Sequence, residues 1–186
     1  SFNMNNAGSP RGRKDSRGPK DAEEKQFDER VVSIDRVARV VKGGRRFRFR
    51  ALIVLGDKKG RIGIGIAKGA DVQAAVTKAV EMAKKKLITV AIYKGTLPHE
   101  AEAKVAGAHI LVKPASPGTG LIAGGVVRTV LEVAGYKNAL SKSIGSSNKI
   151  NAAYATIEAL KSLKPSSEWV VQPEKANNKK VSKESK

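Results

Sequence analysis

The stretch KGGRRFRFR, residues 42–50, places alternating arginines and phenylalanines directly after two glycines. Gly43 and Gly44 can adopt positive φ at little cost, so the stretch predicts the tip of a hairpin. Residues 31–41 before the tip are rich in valine and isoleucine and predict one strand, and residues 45–55 predict its partner. The stretch therefore sets the local fold as an antiparallel β-ribbon.

This ribbon should have two different faces, because successive side chains of a strand point to opposite sides. Phe47 and Phe49 then share one face, and Arg46, Arg48 and Arg50 share the other. Arginines two residues apart stand about 7 Å from each other at strand rise, and their guanidinium groups match phosphate oxygens in bidentate geometry. We expect the phenylalanine face to pack a core and the arginine face to meet phosphates.

The segment RIGIGIAKG, residues 61–69, predicts a third strand with isoleucines on one face and Gly63, Gly65 and Ala67 on the other. A face without side chains allows close approach of another backbone, or tight cover by the protein itself. Residues 70–88 predict a helix capped by Asp71. Its apolar stripe consists of Val72, Val76, Ala79, Val80, Ala83 and Leu87.

Charge is concentrated in this first module. The chain of 186 residues has a net charge of +19, and residues 31–95 contribute +12 of it, from 16 basic and 4 acidic residues. Such concentration favours a polyanion-binding face over a general solubility device. Aromatic residues make up only 4% of the chain, which favours contact with phosphates and nucleic-acid shape over base stacking.

Composition argues against several other classes of chemistry. Cysteine is absent, which rules out disulfides and thiolate metal sites and fits a reducing compartment. His99 and His109 are the only imidazoles, and no nucleophile–base pair accompanies them. No apolar run approaches the roughly 18 residues of a membrane span, and the first ten residues lack an apolar signal core. We expect a cytoplasmic protein with no catalytic residue, metal or cofactor.

A second unit follows the first helix. It should consist of a hairpin over residues 100–115 that turns near Gly107, a short helix over 126–135, a strand over 138–146 and a helix over 148–163. In that last helix, Ile150, Ala153, Ile157 and Leu160 should face inward, and Pro165 should end it.

The loop GTGLIA, residues 118–123, matches the dinucleotide pattern G-x-G-x-x-A between a predicted strand and a predicted helix. No acidic residue stands about 20 positions further on, where the ribose partner belongs. We therefore prefer the explanation that the glycines allow a sharp strand-to-helix crossing. A nucleotide-dependent enzyme is therefore one rival hypothesis, and a free regulatory factor that binds duplex RNA is another.

Two long segments carry a family resemblance. KGGRRFRFRALIVLGDKKGRIGIGIAKGADVQAAVTKA and LVKPASPGTGLIAGGVVRTVLEVAGYKNALSKSIGSSNKINAAYATIEAL closely resemble the bacterial small-subunit ribosomal protein S5 family. The resemblance is co-linear and covers roughly residues 28–163.

The resemblance implies an α+β fold of two small domains. Residues 28–93 would form a three-stranded antiparallel sheet with one helix, related to the double-stranded RNA-binding domain but lacking its first helix. Residues 94–165 would form a mixed sheet with two helices. Residues 1–27 are expected to be a flexible arm, and residues 166–186 a flexible tail.

The resemblance also implies a function: a non-enzymatic component of the small ribosomal subunit that binds its ribosomal RNA and supports assembly, decoding accuracy and the path by which messenger RNA enters. The hairpin tip would reach RNA near the decoding apparatus and the site of aminocyclitol antibiotics. The expected RNA-binding residues are Arg36, Arg39, Lys42, Gly43, Gly44, Arg45, Arg46, Arg48, Arg50, Lys58, Lys59, Arg61 and Lys68. A contact with the ribosomal protein S4 family would use Gly118, Thr119, Gly120 and Arg128, and the S8 family would be a further neighbour.

Overall fold

The computed structural model describes residues 27–165 together with Glu168. The predicted arm 1–27, apart from Phe27, and the predicted tail 166–186, apart from Glu168, lie outside the described residues. Within these described residues, eight strands and three helices follow in chain order. They are β1 (Asp28–Val41), β2 (Gly44–Gly56), β3 (Arg61–Gly69), α1 (Val72–Lys85), β4 (Ile88–Thr89), β5 (Ala101–Val105), β6 (Ala108–Pro114), β7 (Leu121–Ile122), α2 (Gly125–Ala134), β8 (Ala139–Gly145) and α3 (Lys149–Lys161). Within these residues, no helix is long and apolar enough to cross a membrane.

Two four-stranded sheets form the framework. The first has the order β1-β2-β3-β4 and is antiparallel throughout, so the short strand β4 extends the three strands expected from sequence. The second has the order β5-β6-β8-β7 and is mixed, because β7 runs parallel to β8. The α+β class with an antiparallel and a mixed sheet is confirmed.

Helix α1 covers one face of the first sheet, over the glycine side of β3. A Cβ on Gly63 would lie 2.5 Å from the Ala83 carbonyl oxygen, and one on Gly69 would lie 2.5 Å from the Ala75 nitrogen. The glycine face of β3 is therefore covered tightly by the protein's own helix and is not open to the backbone of another molecule. Asp71 is the N-cap residue as expected, but its carboxylate accepts no capping hydrogen bond. Val72, which was expected in the apolar stripe, is exposed.

The opposite face of the first sheet is also buried. Leu52 and Val54 of β2 and Ile62 and Ile64 of β3 belong to one continuous core with α2, α3 and the second sheet. The face of β2 that carries Arg46 and Arg48 near the hairpin tip is therefore apolar and buried further along the strand. Two sheets and two helices can exclude water from a larger apolar volume than either unit alone.

Candidate nucleic-acid interface

The β1–β2 hairpin extends beyond the rest of the first sheet. Strand β3 pairs with β2 only as far as Phe49↔Gly69, whereas β1 and β2 remain paired to Val41↔Gly44. The five residues of β2 beyond Phe49 extend about 16 Å at strand rise. We call this two-stranded projection, residues 37–48, the hairpin arm.

One face of the arm is cationic. The register places Arg39 opposite Arg46 and Val37 opposite Arg48, and it places Lys68 of β3 opposite Arg50 on the same side. A cleft of about 390 Å³ lies on this face. Its lining consists of Val37, Ala38, Arg39, Val41, Arg46, Arg48 and Lys68. Four cationic side chains around an open groove form a surface suited to the phosphate groups of a nucleic acid.

Arg50 differs from the two arginines further out. Its Nη2 donates to Asp35 Oδ2 at 3.0 Å, and its side chain is one-third exposed. Its Nε is buried and has no hydrogen-bond partner among the described residues. The Asp35 carboxylate therefore neutralises much of the charge of Arg50, and the row of free guanidinium groups consists of Arg46 and Arg48 with Arg39 across from them.

The other face of the arm is apolar and aromatic, and it is open. Phe47 is 48% exposed and Val40 is 78% exposed. The guanidinium carbon of Arg36 lies 3.9 Å from the centroid of the Phe47 ring. Phe49, two residues further in, is half-buried and packs against the α1 core. The expectation that both rings lie in a core is wrong for Phe47. The N-terminal end of α1 packs beside Gly69, which pairs with Phe49, and the helix does not extend along the ribbon as far as Phe47.

The tip of the arm is a two-residue turn. Gly43 has φ of +90° and Gly44 has φ of +147°, and a Cβ at either position would meet no atom within 4 Å. Backbone conformation rather than lack of space therefore requires glycine here. Lys42 occupies the turn together with Gly43, whereas Gly44 and Arg45 begin β2, and the Lys42 and Arg45 side chains are exposed.

The remaining predicted RNA-binding residues lie at the far end of β2. Twelve residue steps separate Gly44 from Gly56, which is about 40 Å at strand rise. Beyond Gly56, Lys58 Nζ pairs with Asp28 Oδ2 at 3.3 Å, and Arg61 Nε donates to Asp57 Oδ2 at 2.7 Å. Lys59 is exposed. The structure thus brings the arm residues together but places Lys58, Lys59 and Arg61 in a separate cationic region, where the Asp28 and Asp57 carboxylates pair with two of the three cations.

The predicted protein-contact loop is ordered by one amide side chain. Asn138 Oδ1 accepts hydrogen bonds from the backbone N–H of Gly118 at 3.1 Å and of Gly120 at 3.0 Å. The loop then enters β7 rather than a helix, and α2 begins only after Gly124. A dinucleotide site needs these amides at a helix N-terminus, so the geometry does not support the nucleotide-binding hypothesis. Arg128 lies on α2 and pairs with Glu132 at 3.4 Å.

The two histidines have structural partners. His99 Nε2 accepts from the Lys164 backbone N–H at 2.9 Å, and His109 Nε2 lies 3.2 Å from Glu102 Oε2. In the described part of the chain, no cluster of three or more histidine, aspartate or glutamate residues could hold a metal ion.

Two family models match this chain. Residues 27–91 match the model described as ribosomal protein S5, N-terminal domain, and residues 103–170 match the model described as ribosomal protein S5, C-terminal domain. The chain belongs to the ribosomal protein S5 family. S5 proteins are structural, non-enzymatic components of the small ribosomal subunit in the cytoplasm, where they bind ribosomal RNA and other ribosomal proteins. The resemblance noted from sequence is thereby confirmed.

The open aromatic face of this S5 protein was not predicted from the sequence. A signal for it was present in the lengths of the predicted elements. The predicted third strand has nine residues, whereas each predicted strand of the hairpin has eleven, so the end of the hairpin has no neighbour to cover it.

Proposed function

We propose that the hairpin arm is the principal contact of this S5 protein with small-subunit ribosomal RNA. The observation that carries the proposal is the projection of the arm by about 16 Å with Arg39, Arg46 and Arg48 gathered on one face. A narrow cationic ribbon can enter a groove between RNA segments where a globular surface cannot. Lys42, Gly43, Gly44 and Arg45 form its leading edge.

The second cationic region is proposed as a weaker contact. Lys58 and Lys59 are exposed, but Lys58 and Arg61 each have a carboxylate partner within 3.3 Å. Partial neutralisation lowers the number of counterions that these residues can displace from RNA. We therefore assign most of the RNA affinity to the arm and a minor share to Lys58, Lys59 and Arg61.

Membership of the family also supports finer roles for this protein. We infer that the protein supports subunit assembly, decoding accuracy and the path by which messenger RNA enters. We also infer that Gly118, Thr119, Gly120 and Arg128 contact a protein of the S4 family, and that an S8 protein is a second neighbour. The rigid loop that Asn138 organises and the exposed Arg128 are consistent with a protein contact. The division into domains at residues 28–93 and 94–165 is proposed on the same basis.

The experiment is a salt titration of binding to small-subunit ribosomal RNA with the full-length chain. The arm variant carries Arg46→Gln and Arg48→Gln, and its matched control carries Lys104→Gln and Lys142→Gln on the exposed face of the second sheet. Each lost phosphate contact should reduce the slope of log affinity against log salt by about 0.9. The arm variant should lose up to about two such contacts, and the control should retain the wild-type slope.

A Lys58→Gln and Lys59→Gln variant measures the contribution of the far end separately. We expect a smaller slope change than for the arm variant. Equal slopes for the arm variant and the wild type would contradict the proposed role of the arm. Sedimentation of a cell lysate separates this role from that of a free duplex-binding factor, because a ribosomal component must travel with small subunits.

A further inference from the structure

The large exposed hydrophobic side chains of the first sheet all lie on one face. Val31, Ile34, Val40 and Phe47 are each more than 40% exposed. The register pairs them with Ile53, Ala51, Arg45 and Ala38, which places them on the side of the sheet that α1 covers further in. The hairpin arm therefore separates an apolar, aromatic face from the cationic face that lines the cleft.

Phe47 stands out on this face. Its cross-strand neighbour is Ala38, which is too small to cover a ring, and α1 packs against Phe49 but not against Phe47. Exposing half of a phenylalanine ring forfeits part of the free energy that full burial of such a side chain provides. The Arg36 guanidinium carbon lies over the ring, 3.9 Å from its centroid.

A nucleobase is the ligand that fits this arrangement. Bases stack on aromatic rings and on guanidinium planes, and each base arrives attached to a phosphate. Arg36 and Arg45 share the face of the two strands that carries the ring, so the ring has cationic neighbours. An apolar protein surface would have to bury these charges without compensation, which is costly.

We propose that the Arg36–Phe47 pair is a stacking platform for one unpaired base of the bound RNA. This rests on the proposed RNA binding by the hairpin arm. A base within an A-form duplex does not offer its face to a side chain, because it is stacked between its neighbours. The arm would thus lie between two RNA segments, with phosphates along the cationic face and an unstacked base on the opposite face.

The test uses the full-length chain and two RNA probes of about 16 base pairs, the span of a duplex-binding domain. One probe is fully paired, and the other carries a single 2-aminopurine as a bulged nucleotide. Stacking on Phe47 should change the 2-aminopurine fluorescence when wild-type protein binds. Phe47→Leu should weaken binding to the bulged probe about 5- to 100-fold and change binding to the paired probe less than about twofold, with the salt slope unchanged.

Two further variants separate stacking from charge and from folding. Phe47→Tyr keeps an aromatic ring and should bind the bulged probe like the wild type. Arg36→Lys keeps the charge but removes the plane, so it should reduce the fluorescence change while leaving the salt slope intact. If Phe47→Leu proves unfolded, Arg36→Lys still allows binding to the bulged probe and to the paired probe to be compared.

The results can overturn the two proposals separately. If the wild type binds neither probe, the proposed RNA binding by the arm fails together with the stacking platform. If the wild type binds both probes and Phe47→Leu leaves both affinities unchanged, only the stacking platform fails. Loss of incorporation into small subunits by Phe47→Leu with unchanged RNA binding would assign the ring to a protein partner instead and would equally overturn the platform.

Discussion

Asp57 is the most completely satisfied polar side chain in the turn between β2 and β3. Its side chain is only 5% exposed, and its Oδ1 accepts from the backbone N–H groups of Lys59 at 2.8 Å and Arg61 at 3.0 Å. Arg61 Nε donates to Oδ2. Burial alone would raise the pKa of Asp57, but the hydrogen bonds from Arg61 and from the two backbone amides outweigh burial and hold the pKa below its usual range.

The lowered pKa predicts a pH-dependent stability. Because the folded-state pKa of Asp57 lies below the unfolded-state value near 3.8, the carboxylate stabilises the fold above that pH. This contribution is lost as the pH falls through the folded-state pKa. Asp57→Asn should therefore cost about 1.5–3 kcal/mol at pH 7 and progressively less as the pH falls below 3.8. Urea unfolding at several pH values measures the difference, with Glu81→Gln on the exposed face of α1 as control. A cost for Asp57→Asn that stays constant with pH would contradict the assignment.

Gly65 is required for the packing of α1 on β3. A Cβ at this position would overlap the Ala79 carbonyl oxygen, which is backbone and cannot rotate away. Gly65→Ala should therefore force the helix off the sheet and destabilise the protein by about 3 kcal/mol or more. Gly124→Ala is the matched control, because no atom lies within 4 Å of its Cβ position and its φ is negative. The control should cost about 1 kcal/mol or less, because Gly124 is the N-cap residue of α2 and glycine is a better N-cap residue than alanine. Equal melting temperatures for Gly65→Ala and the wild type would show that α1 is not held this closely.

At the scale of elements, the β2–β3 turn caps the C-terminus of α2. The backbone N–H of Lys58 donates to the Val133 carbonyl at 3.1 Å, and that of Gly60 donates to the Ala134 carbonyl at 3.0 Å. The last carbonyls of a helix have no hydrogen-bond partner within the helix. In α2, residues about 75 positions away in the chain donate these hydrogen bonds. Gly135 ends α2 with φ of +103° directly against the Lys58 backbone.

This contact can be measured with two glycine substitutions of similar backbone conformation. Gly118 has φ of +93° and no atom within 4 Å of its Cβ position, whereas a Cβ on Gly135 would overlap the Lys58 carbonyl oxygen. Gly118→Ala should cost only the strain of positive φ, about 1–2 kcal/mol. Gly135→Ala should cost at least about 2 kcal/mol more, because it also separates the turn from the helix. Urea unfolding compares the two, and similar losses would mean that the two units do not depend on this contact.

At the scale of the whole molecule, the two units share one core. Leu52 and Ile62 of the first sheet pack in the same apolar cluster as Val130 and Leu131 of α2 and Leu160 of α3. Tyr136 adds a polar link, because its hydroxyl donates to the Ala91 carbonyl at 2.7 Å, and burial raises its pKa. Separating the two units would expose this apolar surface to water.

The shared core predicts a single cooperative unfolding transition. Calorimetry of the full-length chain should give equal calorimetric and van't Hoff enthalpies. A fragment of residues 27–93 should fail to fold by itself, because it would expose Leu52, Val54, Ile62 and Ile64 to water. Two resolved transitions, or a fragment with a cooperative melt, would contradict this prediction. In that case the units would be independent domains in the thermodynamic as well as the structural sense.

The sequence alone determined the local architecture of this S5 protein. The glycines at 43 and 44 located the hairpin tip, the alternation through β2 assigned each side chain to a face, and Gly135 marked the end of α2. These features depend on backbone conformation and on side-chain period, which are properties of a few neighbouring residues. The cationic composition of the first unit likewise required no structure to be noticed.

Only the tertiary structure decided which of these faces meets water. Phe47 and Phe49 lie on the same face of the same strand, yet α1 covers Phe49 and leaves Phe47 exposed. Arg46 and Leu52 also share a face, yet one lines an open cleft and the other lies in a core shared with the second unit. Alternation fixes the direction of a side chain but not what stands opposite it. Burial depends on where elements distant in sequence end, and that is set by the packing of the whole chain.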